Sequence, residues 1–151
     1  MKLRVLVGSG DRIGLVTLPF LVIGVILNVA FPAVFAVGGP PPALAVVSVL
    51  ALIAGVTVWA WSIALILTRV PRRRLITTGP YHLVRHPLYT GVALLVVPAV
   101  GFLCDSWLGV PVGLVMYLAA RRYAPAEDAA LAKHFGPAWT AYRDSVKVSW
   151  L

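Results

Sequence analysis

The sequence predicts an all-α integral membrane protein with about four transmembrane helices, followed by amphipathic interfacial helices. Three observations carry this expectation. The chain is 60% hydrophobic and only 12% charged over 151 residues, about half the charge density of an ordinary soluble domain. Two stretches, 13–37 and 43–67, are uncharged and exceed the roughly 20 apolar residues that a helix needs to cross hydrocarbon. All thirteen Lys and Arg residues fall in three blocks, within 2–12, within 69–85 and from Arg121 onward. Four spans would put every block on one face.

Taken in order, the first apolar run is longer than the 7–15 residues of a signal-peptide core, so it reads as a retained helix. The triple proline Pro40–Pro42 makes a stiff connector to the second span. The third and fourth segments, 88–103 and 107–120, are shorter. They read as a hairpin turning at Cys104, Asp105 and Ser106. Neither the 38–42 loop nor the 104–106 loop carries a basic residue. The positive-inside rule therefore makes the basic face, with both termini, cytoplasmic.

The net charge of +8 reflects this topology and contact with anionic headgroups. Aromatics are not interleaved with the basic blocks, which argues against nucleic acid as a partner. A single cysteine, Cys104, excludes an intramolecular disulfide and a cysteine-based zinc cluster. No metal site is expected. Trp59, Trp61, Trp107 and Trp150 read as packing or interfacial belt residues. The chain reads as one domain, 1–151.

Chemistry concentrates between the second and third spans, in RVPRRRLITTGPYHLVRHPLYTG. Gly79-Pro80 is a turn signal. Pro87 suits the first position of a helix, where its missing N–H costs nothing, with His86 at the N-cap. Free N–H groups at such a start attract an anion, and Arg85 adds a fork suited to carboxylate or phosphate. Tyr81 and Tyr89 offer faces for a cation or a flat ring. Arg69 to Arg74 read as an interfacial anchor, whereas the tighter group Tyr81, Arg85, His86 and Tyr89 reads as functional.

After Arg121 and Arg122 the chain turns amphipathic. Pro125 is expected to start a helix, and Gly136-Pro137 to end it and begin another. Leu131 and Phe135, then Trp139, Tyr142 and Val146, mark the apolar side of a pair lying along the interface. Glu127 fits either a helix-dipole contact or a carboxylate facing a bound cation. Asp128 is expected to be structural, and His134 a surface residue.

TTGPY and RHPLYTG, followed by an apolar hairpin and then EDAALAKHFGPAWTAY, resemble the isoprenylcysteine carboxyl methyltransferase and phospholipid methyltransferase superfamily. The likeness runs from Leu75 to Val146, and the first two spans carry no signature. It implies a membrane methyltransferase using S-adenosylmethionine, with product S-adenosylhomocysteine. The cofactor wall would be Leu75, Ile76, Tyr81, His86, Pro87, Leu88 and Tyr89. Glu127 would hold the cofactor's amino group, and Arg85 would support the site with His86 as a catalytic pair.

The sequence departs from the pattern where Asp128 replaces the commoner glutamate. Tyr123 stands where some eukaryotic members have a substrate arginine. Arg121 and Arg122 lie close by, out of register. With Trp139 and Tyr142 they are the residues implied for substrate.

The implied acceptor is a lipophilic small molecule or lipidated substrate entering from the bilayer, with a carboxylate, amine or thiol as nucleophile. Two rivals stand beside this reading. Sterol-type reductases using NADPH resemble the same segment, although they usually carry asparagine where this chain has Leu88. A non-catalytic membrane scaffold would keep only the shape. The Ala-, Val- and Arg-rich composition points to a high-GC bacterium, hence a bacterial cytoplasmic membrane.

Overall fold

The structure is a computed structural model that describes residues 9–148. Lys2 and Arg4 of the first basic block, and Trp150, lie outside the described residues. Among those described, every regular element is helical. Helix α1 covers Gly10–Ala30, followed by the turn α2, Pro32–Phe35. Helix α3 covers Pro42–Arg69 and runs into a 3-10 turn at Val70–Arg72. A second 3-10 turn, Gly79–His82, precedes α4, Pro87–Gly91. A π turn at Val92–Val96 joins α4 to α5, Val97–Leu103. Helix α6 covers Gly109–Phe135 and α7 covers Pro137–Ser145.

Two of these helices, Gly10–Ala30 and Pro42–Arg72 with its turn, are long and apolar enough to cross a membrane. The column from Pro87 to Leu103 is apolar but shorter. The two long helices are built inside out relative to a soluble core. The buried residues of α3 are Ser48, Gly55 and Ser62, spaced by seven, and those of α1 are Ile13, Thr17 and Gly24. Ile13 apart, most of their large apolar side chains are exposed, with Leu15 at 72% and Val29 at 76%. Small residues facing protein and large ones facing outward suit packing in lipid, where tails are as apolar as leucine and close backbone approach holds helices together.

The columns pack side by side, α1 on α6, α6 on the α4–π–α5 column, and that column on α3. Close approach needs glycine at several crossings. A Cβ at Gly55 would lie 2.7 Å from a Val96 methyl, and one at Gly101 would lie 2.7 Å from the Gly109 Cα. At Gly113 a Cβ would overlap the Ala93 carbonyl oxygen inside the π turn.

The loops at one end are tied together. Asp105 Oδ1 accepts the Val37 N–H at 3.1 Å and the Gly39 N–H at 2.9 Å. Trp107 donates its main-chain N–H to the Phe35 carbonyl and its ring N–H to the Val34 carbonyl, each at 3.2 Å. Asp105→Ala is expected to lose about 1–2 kcal/mol, for two charge-assisted bonds at a partly exposed site. A lower thermal midpoint of the detergent-purified protein checks this.

Two expectations are corrected. The first span begins earlier and ends sooner than 13–37, because Phe31-Pro32 interrupts the helix and Pro32 restarts a separate turn. The chain also does not break after residue 120. A single helix carries it from Gly109 to Phe135, with Pro125 inside. Pro125 removes only the bond to the Arg121 carbonyl, a loss that a helix packed along α1 absorbs. The break falls instead at Gly136, whose φ of 53° suits glycine, with Pro137 opening α7.

Candidate functional site

The site lies at the end opposite the tied loops, where the starts of α1 and α4 meet the second half of α6. Helix α4 begins as its sequence suggests, with His86 at the N-cap and a buried Pro87 at the first position. The preceding Gly79 has a φ of 66° and sits against the Trp61 ring. This turn sends Tyr81 and Arg85 toward α6.

Three ionisable side chains converge there. Arg85 Nη1 donates to Asp128 Oδ2 at 2.7 Å, and His86 Nε2 lies 3.0 Å from Asp128 Oδ1. Each side chain is largely covered, with 24%, 12% and 18% exposure for Arg85, His86 and Asp128. Asp128 thus clamps both residues by separate oxygens and fixes their orientation. The His86 ring is stacked near Tyr89, with centroids 6.2 Å apart.

Glu127 points to the other side, where its Oε2 accepts the Ser9 main-chain N–H at 3.4 Å. Burial raises its pKa above the usual 4.5. The His86 ring, when protonated, and the Ser9 amide oppose that rise, and Asp128 adds to it. The carboxylate is therefore a half-buried group short of positive charge. Tyr81 faces the same space, and burial with the nearby Glu127 charge pushes its hydroxyl upward. It stays neutral, as an aromatic wall rather than a phenolate.

The C-terminal helix closes over this region. Trp139, Tyr142 and Val146 are buried and pack with Leu75, Tyr81, Leu131 and Phe135. The Tyr142 hydroxyl donates to the Tyr81 carbonyl at 2.8 Å. Burial, with Asp128 nearby, pushes the Tyr142 hydroxyl up to about 12. Beyond α7, Val148 donates its N–H to Leu83 and forms a parallel bridge with Val84. A cleft of about 370 Å³ is lined by Arg85, Arg143, Asp144 and Val146.

The structure therefore gathers Tyr81, Arg85, His86, Tyr89 and Glu127 in one region, with Leu75 beside Tyr81. Ile76 and Leu88 are half-buried. Trp139 and Tyr142, expected toward substrate, stand 4% and 5% exposed inside the packed cluster. Arg121 and Arg122 do not join the group. Both are exposed, each with its guanidinium about over a tyrosine ring of α6, at 6.0 Å from Tyr117 and 5.9 Å from Tyr123. Sequence reasoning missed the role of Asp128 as the clamp and gave Ser9 no role. The adjacent acids were the one available signal for Asp128.

The family model described as the isoprenylcysteine carboxyl methyltransferase (ICMT) family matches residues 43–133. The match takes in α3, which carries no motif of its own, and stops before α7. Comparison with curated proteins gave no match, and comparison with solved structures gave none. The matched segment covers most of the chain and includes Arg85, His86, Glu127 and Asp128. The protein thus belongs to the isoprenylcysteine carboxyl methyltransferase family, whose members are methyltransferases acting on lipophilic substrates.

Proposed function

We propose that the protein transfers a methyl group from S-adenosylmethionine to a lipophilic acceptor reaching the site from the bilayer. The observation that carries this reading is the half-buried Glu127 carboxylate beside the Arg85–Asp128–His86 clamp. Glu127, pushed toward its neutral form by burial, would gain most from an ammonium group. Arg85, held by Asp128 and lining the cleft with Arg143, suits a ligand carboxylate. Tyr81 and Tyr89, with Leu75, Ile76, Pro87 and Leu88, would wall a flat ring and a sulfonium. Bound there, S-adenosylmethionine would supply an activated methyl group open to in-line attack.

The chain's contribution is chiefly positioning, which can supply about 7–11 kcal/mol of a barrier. The Trp139–Tyr142 cluster keeps water out from the α7 side. A carboxylate acceptor needs no base. An amine acceptor must lose a proton, and His86 Nδ1 would take it, since Nε2 faces Asp128 and that carboxylate stabilises the charged ring. Arg121 and Arg122 would meet the acceptor's headgroup. The four columns would each cross the bilayer of a bacterium, with the site end cytoplasmic. The placement of the described lysines and arginines at that end supports this orientation.

Calorimetry on detergent-purified protein with S-adenosylhomocysteine, and separately with NADPH, tests the cofactor. Binding of the first alone is expected, and binding of NADPH or of neither would sink the reading. A labelled-methyl assay on total lipid extract identifies the acceptor. Glu127→Gln is expected to weaken S-adenosylhomocysteine binding about 10- to 100-fold, the loss of one charge-assisted bond.

The pH dependence follows from the raised pKa. In the ligand-free protein, protonated Glu127 favours the fold. That contribution is full below 4.5 and is lost as pH rises through the higher folded-state value. A cationic ligand needs the ionised form, so affinity is expected to rise with pH across the same interval above 4.5. Glu127→Gln should remove that limb.

A further inference from the structure

The start of α1 lies outside the matched residues, and no motif in it carries chemistry. It is nonetheless built into the site. Ser9 is buried, 8% exposed. Its N–H reaches Glu127 Oε2 at 3.4 Å and its Oγ donates to the Tyr123 carbonyl at 3.2 Å. The Tyr89 hydroxyl faces the main-chain amides of Ser9 and Gly10. A Cβ on Gly10 would stand 3.6 Å from that hydroxyl. One turn further on, Ile13 is buried against Ala119 and Ala120, with Tyr89 and Tyr123 packed around them. The first turn of α1 is thus wedged between α4 and α6 and touches a residue expected at the cofactor from each.

We propose that this turn is a wall of the cofactor site, with the Ser9 main-chain amide as a positioning group that fixes the Glu127 carboxylate for the ligand's ammonium. The inference rests on the proposed use of S-adenosylmethionine. Glu127 is a flexible side chain in a half-buried place, and an ionised carboxylate there gains from a donor that keeps it both charged and aimed. Its charged and titratable neighbours are His86 and Tyr89 from α4, Asp128 from α6 and Tyr81 from the preceding turn. The Ser9 amide holds Oε2, leaving Oε1 for the ligand. Methyl transfer by this chain then requires α1, which sequence patterns mark only as membrane scaffold.

Ser9→Pro removes the N–H at the N-cap of α1, where the residue's φ of −92° lies within about 30° of proline's. S-adenosylhomocysteine affinity, by calorimetry on the full chain, is expected to fall about tenfold, the size of one net hydrogen bond. The pH at which affinity rises is expected to move upward, because the ionised form loses a donor. Ser9→Ala keeps the amide and should retain the wild-type pH midpoint. In a Glu127→Gln background, Ser9→Pro should cost little more.

An unshifted pH midpoint in folded Ser9→Pro overturns the inference, as does an equal loss in the Glu127→Gln background. Should Ser9→Pro fail to fold, an α-hydroxy acid incorporated at position 9 takes its place, since the resulting ester deletes only the Ser9 N–H that faces Glu127. It should reproduce the affinity loss and the upward shift, and wild-type behaviour there overturns the inference equally. A wild-type protein that binds no S-adenosylhomocysteine defeats the proposed function and this inference together. Wild-type binding with indifferent variants defeats the inference alone.

Discussion

Asp128→Ala is expected to abolish most methyl transfer while leaving the protein folded. Asp128 engages Arg85 at 2.7 Å and His86 at 3.0 Å with different oxygens. Removing it takes one charged contact from both side chains at once and leaves a largely covered guanidinium without that carboxylate. The clamp is partly exposed, so its loss costs less stability than that of a fully buried pair, about 1–3 kcal/mol. The catalytic cost should be larger, on the order of 100-fold or more, because small misplacements of positioned groups are amplified in rate. Asp128→Asn keeps one acceptor oxygen and should recover part of the activity. Labelled-methyl transfer, read beside the thermal midpoint, separates the two costs. Asp128→Ala activity within twofold of wild type would overturn the clamp's role.

Gly113→Ala is expected to be the most damaging single methyl at the helix crossings. The added carbon would overlap the Ala93 carbonyl oxygen, with Pro98 ring atoms 3.2 Å away. Neither neighbour yields easily. One is backbone within the π turn, and the other is a ring whose φ is fixed. Overpacking of this kind costs about 1–3 kcal/mol and more where backbone must shift. Gly24→Ala is the contrast on the α1 side, since its Cβ would meet a Val112 methyl at 3.4 Å, ordinary contact with a side chain that can turn. Thermal unfolding in detergent should show a large drop for Gly113→Ala and little change for Gly24→Ala. Equal midpoints would contradict the close crossing.

Much of the site was legible in the residues. Arg85, His86, Pro87 and Tyr89 lie within five residues, and a proline at the first helical position sets the local backbone that carries them. Glu127 was legible through its place in a motif, although its two readings could not be separated without knowing what lies above it. The partners of Asp128 were not legible, because Arg85 lies 43 residues away and His86 lies 42. Which of two adjacent acids turns toward α4 depends on the rotation of α6. That rotation is set by Gly113 against the π turn and by α1 on its other flank.

The same division holds for the whole molecule. Composition, the uncharged runs and the sorting of basic residues determined a helical membrane protein and the end at which its charges collect, because those are properties of short stretches facing lipid or water. Helix packing decided the rest. It carried α6 through Pro125 without a break and buried Trp139 and Tyr142 under α7. It also brought Ser9 to Glu127 across 118 residues of chain. Such contacts arise from side chains and amides meeting at helix crossings, and no periodicity or local turn in the sequence encodes where two distant helices cross.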